Sequence, residues 1–520
     1  MKQTPLAHSF RTGLRILPLL LLPVWMALPV KGQTIPVVER TLPNGMRVLM
    51  VERPGEGSIV CAWVAKVGSA HDGLETTGLA HMLEHMLFKG TRTIGTRNPV
   101  RDQELNVQQD DLQKQLRKEL EPLREQQRRG LLSSLTDPKA RTPRMLELQK
   151  TFEKVAQEQK DLAVKNEMRS LYSRYGATRM NAGTGSDWTV YMVNVPANKL
   201  ELWCWLESDR LRDPVFREFY SEREVVREER RTSVEGDPTG EIFESFGAMI
   251  WQAHPYQWTT FSAIGWPAPL GQLTREQAER FFKTYYAPNN LTAILVGDFK
   301  AADAGPMVEA YFGRIPANPE GVPPLVSVES PQLAEQRMLA TAAVTPALHV
   351  AYKAVPSTHK DVPALKVIER LMNGNAGRLE RSLVFGSMVA AKAKLRLDLR
   401  RYAGLIFLEA EPAAGRSLEE LELGLSREVD QLLRETLSPG ELERAKNQFL
   451  AAYLEDAENG RALAWALADA DTSGTYQDWI ALPELVRQVT PEQVQTAVRT
   501  YFRKEGRNLL TIRRPEREIH

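Results

Sequence analysis

An order of segments that occurs twice constrains this chain more than any other feature. In the first half, RTLPNGMRVLMVERP places a turn at Pro43-Asn44-Gly45 before alternating apolar residues, and SIVCAWVAKVGS continues as a β-rich run. TTGLAHMLEHMLFKGT follows, with Leu79, Met82, Leu83, Met86 and Leu87 at helical spacing and Gly90 as a stop. In the second half, ALHVAYKAVPSTHKDVPALKVIERLMNGN repeats strand, short polar loop and amphipathic helix ending in Gly. Between them, the Pro-rich IPANPEGVPPLVSVESPQ from Ile315 to Gln332 reads as an extended linker. A duplication calls for two related domains, fewer than the three or four that 520 residues suggest by length.

Two segments stand outside that repeat. Lys2, Arg11 and Arg15 precede the apolar run Ile16 to Val30, which has the length of a signal-peptide core and is short for a membrane span. Pro18, Pro23 and Pro29 weaken it further as a spanning helix. Cleavage after Gly32 and export to a periplasm or the outside are therefore expected, with no cysteine following to carry a lipid. An uncleaved anchor is the alternative. From Arg101 to about Ser170 the composition turns to Gln, Glu, Lys, Arg and Leu in two helical segments broken by LTDPKARTPR, which reads as a self-packed, solvated helical hairpin. Leu112, Leu116, Leu120 and Leu123 stripe one arm, and Leu146, Leu148, Phe152 and Val155 the other.

Charge and cysteine content narrow the chemistry. Sixty-seven basic and 66 acidic residues give a net charge of +1, so no global field draws the chain to nucleic acid. Two cysteines, Cys61 and Cys204, exclude a disulfide framework and a multi-cysteine metal site. A metal site here must use His and carboxylates.

Of the eight histidines, only His81 and His85 lie within about one helical turn of each other. The i, i+4 spacing puts both imidazoles on one helix face, where they can hold a single ion. Glu84 beside them suits a general base that takes a proton from water as it attacks a carbonyl. The pattern is H-x-x-E-H, the inverted form of the H-E-x-x-H zinc signature. A catalytic zinc site wants a third protein ligand. FYSEREVVREERR, with Glu222, Glu224, Glu228 and Glu229, is the obvious source, although such a run taken alone is an ordinary solvated helix face.

These residues resemble the M16 peptidase family, the pitrilysin, insulysin and mitochondrial processing peptidase group. The likeness runs through GLAHMLEHMLFKGT, NAGTGSDWTVYMVNVP, EREVVREE, AHPYQW, LTREQAERFFKTYYAPNNLTAILVGDF and the duplicated second half. It implies that His81 and His85 bind zinc, that Glu84 activates water, and that Glu229 is the third ligand with Glu222 as its supporting carboxylate. Glu228 competes with Glu229, because adjacent glutamates allow a one-residue slip. The hairpin insertion lengthens the spacing from His85 to Glu229 relative to the family pattern. Asn181 and Ala182 match family positions on an edge strand that holds a substrate peptide through main-chain bonds. His254 is read as structural.

Two departures concern the second half. Lys366, Glu369 and Arg370 stand where His81, Glu84 and His85 stand in the first, and two cations cannot replace two neutral imidazoles as ligands. Many family members also carry an Arg and a Tyr, seven residues apart, that bond the substrate. The corresponding positions here are Val384 and Ala391, neither of which has a side-chain donor. The expected fold is α+β: two homologous domains, each a mostly antiparallel sheet with helices on one face, closing as a clamshell, with the hairpin inserted in the first. The expected bounds are 1–32 for the leader, 33–315 for the zinc-bearing domain, 316–332 for the linker and 333–520 for the second domain. The resemblance implies a zinc-dependent endopeptidase for peptides or unfolded polypeptides. It also raises a related partner subunit carrying the Arg/Tyr pair, with a non-catalytic scaffold as the alternative.

Overall fold

The computed structural model describes residues 35–135, 137–435 and 437–515, so the expected leader lies outside the described residues. Its first sheet contains β1 (Val38–Thr41), β2 (Arg47–Glu52), β3 (Ser58–Ala65), β4 (Thr178–Thr184), β5 (Thr189–Pro196) and β6 (Leu291–Gly297), in the order β1-β2-β6-β3-β5-β4. The second contains β7 (Gln336–Thr341), β8 (Ala347–Ala354), β9 (Ala390–Leu399), β10 (Gly404–Pro412) and β11 (Arg507–Arg513), in the order β7-β11-β8-β10-β9. Leaving β1 aside, the orders coincide strand for strand. β2 runs parallel to β6 as β7 does to β11, and the other pairs are antiparallel. The repeat in the sequence is thus a repeat in topology, and the fold is α+β with two sheets.

The helices that bear on the site are α1 (Leu79–Met86), α2 (Pro99–Arg128), α3 (Pro143–Leu162), α4 (Phe219–Arg230), α5 (Gly240–Ile250), α6 (Val362–Met372), α7 (Pro439–Glu458) and α8 (Gly460–Ser473). The strand β3 reads as an unbroken apolar run because both its faces are buried. Ile59, Cys61, Trp63 and Ala65 join the core around α1, while Val60, Ala62 and Val64 join a second core on the opposite face. That second core is closed by Leu463, Ala464, Leu467 and Ala468 of α8, a helix from the other half of the chain. The exchange is reciprocal. Phe246 and Ile250 of α5 pack on Ala351, Leu405, Phe407, Leu510 and Ile512 of the second sheet. Each sheet therefore has its own helices on one face and a helix of the opposite half on the other. Burying Leu463 and Leu467 contributes about 1.5–3 kcal/mol apiece relative to exposure. Asp471 adds a polar tie: its carboxylate accepts the Thr292 hydroxyl at 2.6 Å, meets Lys66 at 3.0 Å and pairs with Arg47. Cys61 and Cys204 are both buried free thiols.

The hairpin forms as two capped helices. Asn98 accepts the Arg101 N–H and Thr142 the Met145 N–H, each followed by a proline at the first helical position. The apolar seam of the second arm differs from the expectation. Met145 and Leu148 are buried and Leu146 is half exposed, because the inward face follows i, i+3, i+7 from Met145 through Leu148 and Phe152. Nor is the pair simply solvated, since its base is tied to the helix that carries the candidate third ligand. Gln159 donates to Asp102 and Asn106 at 2.9 and 2.8 Å, and its carbonyl oxygen accepts the Glu218 N–H at 3.0 Å. Buried Arg217 meets Asp102 at 3.0 Å and donates to the Thr91 and Ile94 carbonyls. Among the described residues no helix is long and apolar enough to cross a membrane.

Candidate metal centre

α1 divides cleanly into two faces. Leu79, Ala80, Met82, Leu83 and Met86 are buried, and the 3.6-residue period leaves His81, Glu84 and His85 together on the face that remains partly open. Two devices fix where the helix starts. Gly78 has φ +90°, and a Cβ there would stand 2.4 Å from the Ile264 carbonyl oxygen, so only glycine fits. Asp72, buried, accepts the N–H groups of Gly78 and Ala80 at 2.8 and 3.0 Å and so caps the positive end of the helix.

α4 packs against α1 and brings in the carboxylates. Glu229 lies 3.8 Å from His81 Nε2 and 3.4 Å from His85 Nε2. Glu222, two turns earlier on the same face, accepts from His85 Nδ1 at 3.1 Å, and Lys89 holds its other oxygen at 2.6 Å. Glu228 is turned about 100° round the helix and pairs instead with Arg231 at 2.6 Å. One ligand atom from each of His81, His85 and Glu229 can be chosen so that all lie within 4.8 Å of one another. Atoms about 2.0–2.2 Å from a central ion at tetrahedral angles stand about 3.3–3.6 Å apart, so the donor set suits zinc in kind and closes on an ion by side-chain shifts of about an ångström. Orientation agrees, because Glu222 holds His85 Nδ1 and leaves Nε2 to point at Glu229.

The electrostatics follow from burial and from these contacts. Burial, then the neighbouring His85, lowers the pKa of His81. Burial also opposes charge on His85, but its bonds to Glu222 and Glu229 outweigh that and lift its pKa to about 9. A cation taking Nε2 must displace that proton. Burial raises the Glu84 carboxyl above the ordinary range, and the Thr184 hydroxyl, donated to it at 2.6 Å, pulls it back down. Thr184 and Lys89 are site residues that the spacing argument passed over. Both stand inside segments with an evident motif, NAGT and FKGT, and each touches a carboxylate of the candidate site, Thr184 that of Glu84 and Lys89 that of Glu222.

Asn181 and Ala182 lie on β4, the edge strand of the first sheet, about the register Asn181 to Met192 and Ala182 to Tyr191. Among the described residues no side chain bonds the main chain of Asn181 to Thr184 along its outer edge. Glu84, His85, Lys89 and Glu222 line a cavity of about 370 Å³ that continues to Ala163–Glu167 at the hairpin base. His254 is buried, with Nδ1 accepting the Tyr256 N–H at 3.2 Å, away from the carboxylates of α4.

Comparison with known proteins bears on the fold and the family. The family profile described as insulinase (peptidase family M16) matches residues 47–105, which contain His81, Glu84 and His85. The one described as the peptidase M16 inactive domain matches residues 272–449, and Glu222 and Glu229 fall between the two. The zinc protease PqqE of Helicobacter pylori is 23% identical over 89% of this chain and 89% of its own length. A probable mitochondrial-processing peptidase subunit beta of Arabidopsis thaliana is 22% identical over 80% of this chain and 66% of its own. A protease structure from Helicobacter pylori superposes with TM-score 0.73 at 20% identity, covering 92% of this chain and 99% of that one. The periplasmic protease PqqL from Escherichia coli gives TM-score 0.68 at 16% identity, with 92% of this chain covering 47% of that one. With both family profiles matched, a shared two-sheet fold and relatives of the same kind, this chain belongs to the M16 peptidase family.

Proposed function

We propose that this chain is an exported zinc-dependent endopeptidase acting on peptides or unfolded polypeptides. The observation that carries the reading is the convergence of His81, His85 and Glu229 on one point, with the Glu84 carboxylate beside it. Relatives named zinc proteases support it. His81, His85 and Glu229 hold the metal, and Glu222 orients His85 while Lys89 neutralises the far oxygen of Glu222. Zinc, when bound, supplies a Lewis acid that polarises the scissile carbonyl and makes water acidic enough to attack near neutral pH. Glu84 takes the proton of the attacking water and returns it to the leaving amine. Thr184 keeps the Glu84 carboxylate aimed and offsets part of the upward push that burial puts on its pKa, which favours the ionised form that role needs. Asn181 and Ala182 offer the open edge of β4 to the peptide main chain as an added strand. Residues 33–315 form the zinc-bearing domain and 333–520 a second, metal-free domain joined by 316–332. The leader at 1–32 directs export, in keeping with the periplasmic PqqL relative.

A second reading rests on Val384 and Ala391, which have no side-chain donors where many relatives carry an Arg and a Tyr. In that reading the chain is the zinc-bearing member of a hetero-oligomer whose partner supplies the pair. Relatives named as a probable mitochondrial-processing peptidase subunit beta and a ubiquinol-cytochrome-c reductase complex core protein I support it. Zinc content and peptide cleavage of the purified wild type and of Glu84→Gln test both readings. Zinc in both proteins and cleavage by the wild type alone establish the enzyme. Full-rate cleavage by the isolated chain removes the need for a partner, and equal inactivity of both proteins with and without a paired subunit supports a scaffold.

A further inference from the structure

The peptidase reading sets a substrate strand alongside β4, and the inference below rests on it. Directly opposed residues of an antiparallel pair share a face. Ala182 opposes Tyr191, which belongs to the α1 core, whereas Asn181 and Gly183 oppose Met192 and Val190, which face α8. Side chains of a strand added to β4 therefore fall alternately toward α1, with its metal ligands, and toward α8.

On the α8 side lies a cavity of about 470 Å³, lined by Asn181, Val190, Met192, Arg179, Arg461 and Trp465 among others. Its lining comes from both halves of the chain. Arg179 sits in a register break of β4, between Thr178 and Asn181, and adopts φ +52°, a left-handed conformation uncommon for a residue with a side chain. Its carbonyl accepts from Arg461 Nη1 at 3.2 Å, and the same nitrogen donates to Asn194 Oδ1 at 3.1 Å. The strained backbone thus helps to hold one arginine beside another. Burial, then the like charge of Arg179, lowers the pKa of Arg461. Among the described residues neither guanidinium has a carboxylate within 4 Å. Asp456 is the one acidic group in the lining, so the cavity carries a surplus positive charge. Two arginines lining one cavity, with no carboxylate paired to either guanidinium among the described residues, at the edge where a peptide is added, are complementary to a carboxylate, which arginine can bind through two parallel N–H bonds.

We propose that this cavity takes an acidic side chain of the bound peptide, Asp or Glu, at a position facing α8, and that Arg179 and Arg461 set this preference. Trp465, part exposed and in edge contact with Trp188 at 4.8 Å between ring centroids, covers the hydrocarbon stem of that side chain. Lysine at the same position meets like charge.

The test uses full-length, zinc-loaded Glu84→Gln as a binding protein and a set of fluorescent peptides identical except for Glu, Gln or Lys at successive positions. Glu is expected to bind at least 10-fold more tightly than Lys at alternate positions only. Arg179→Ala, which removes no side-chain hydrogen bond, is expected to shrink that gap at least threefold, and Arg461→Ala to bring it near parity. Melting temperatures check that each variant is folded. Equal affinity for Glu and Lys at every position, a preference that survives both substitutions, or no binding of any peptide overturns the inference. Cleavage of the same peptides by the wild type separates this from the peptidase reading. Cleavage without discrimination leaves the peptidase and removes the subsite, and selective binding of acidic peptides with no cleavage does the reverse.

Discussion

α1 and α6 occupy the same place in the two halves and differ in what they do with the carboxylate at equivalent positions, Glu84 and Glu369. Glu84 on α1 accepts the Thr184 hydroxyl on β4 at 2.6 Å, and Glu369 on α6 accepts the Leu397 N–H on β9 at 3.0 Å. β4 and β9 are the equivalent edge strands of their sheets. In the first half the strand lends a side chain and keeps its main chain open. In the second, the main chain itself is consumed, and Asn373 completes the closure by accepting the Leu395 N–H at 2.9 Å and donating to the Leu395 carbonyl at 2.7 Å. An open edge invites another strand, and a capped one refuses it. The two helices differ in their flanking groups as well, imidazoles at 81 and 85 against Lys366 and Arg370, which cannot ligate a metal. A handful of side chains thus sets the two halves of the duplicated frame apart: one half presents a candidate ion site and an open edge, and the other, among the described residues, has neither.

Substitutions at equivalent positions break this comparison most sharply. His85→Ala is expected to abolish zinc binding, measured by metal analysis of the dialysed protein, and to remove all cleavage, while Arg370→Ala leaves both unchanged. Glu84→Gln is expected to retain zinc and to lower kcat by about 10²–10⁴-fold, the range of a general base. Glu369→Ala leaves kcat unchanged and costs about 1–3 kcal/mol of stability, because the Leu397 N–H loses a charged acceptor. Loss of activity in Glu369→Ala at unchanged stability would show that the second half takes part in the chemistry.

The contrast also explains which features are legible in the sequence alone. His81, Glu84 and His85 were legible because a local period of 3.6 residues places them together whatever the rest of the chain does. The repeated order of strand, loop and helix was legible for the same reason, and the sheets repeat strand for strand. Choosing between Glu228 and Glu229 needed the direction of α4, since neighbouring residues on a helix differ by about 100° and only packing against α1 says which way is inward. The exchange of α5 and α8 between halves could not be read at all. Each is an apolar helix that suits either sheet, and nothing in its own sequence names the partner. The polar base of the hairpin was missed because Gln159, Asp102 and Asn106 look like solvated residues in a charged run until Arg217 is brought to them. Asn373 has no signal of its own, standing in a loop whose composition reads as a simple helix stop.

The capped edge yields a prediction of intermediate size. Asn373→Ala removes two bonds to Leu395 and uncovers the middle of β9, so a loss of about 1–3 kcal/mol is expected, seen as a fall of a few degrees in Tm. Concentration-dependent self-association by light scattering should accompany it, because an exposed edge strand pairs with other chains. A fall in Tm without association would mean that Asn373 only anchors the strand, and that the difference between β4 and β9 lies elsewhere.

Thr184→Val is the finest cut, because it leaves the ligands, the base and both edges in place and removes one hydroxyl. Burial raises the Glu84 pKa and the Thr184 bond lowers it, so without that bond the pKa rises further. At a given acidic pH a smaller fraction of Glu84 is then ionised and able to accept a proton. The acid limb of the kcat/KM profile is therefore expected to move to higher pH, with a rate loss of up to about 10-fold on that limb for one lost charged hydrogen bond of about 1.5 kcal/mol. Above the shifted limb Glu84 is fully ionised, so what remains of the loss there measures aim instead of protonation. An unmoved acid limb with a uniform rate loss assigns Thr184 to positioning alone, and an unchanged profile means that Glu84 owes nothing to the hydroxyl that β4 lends it.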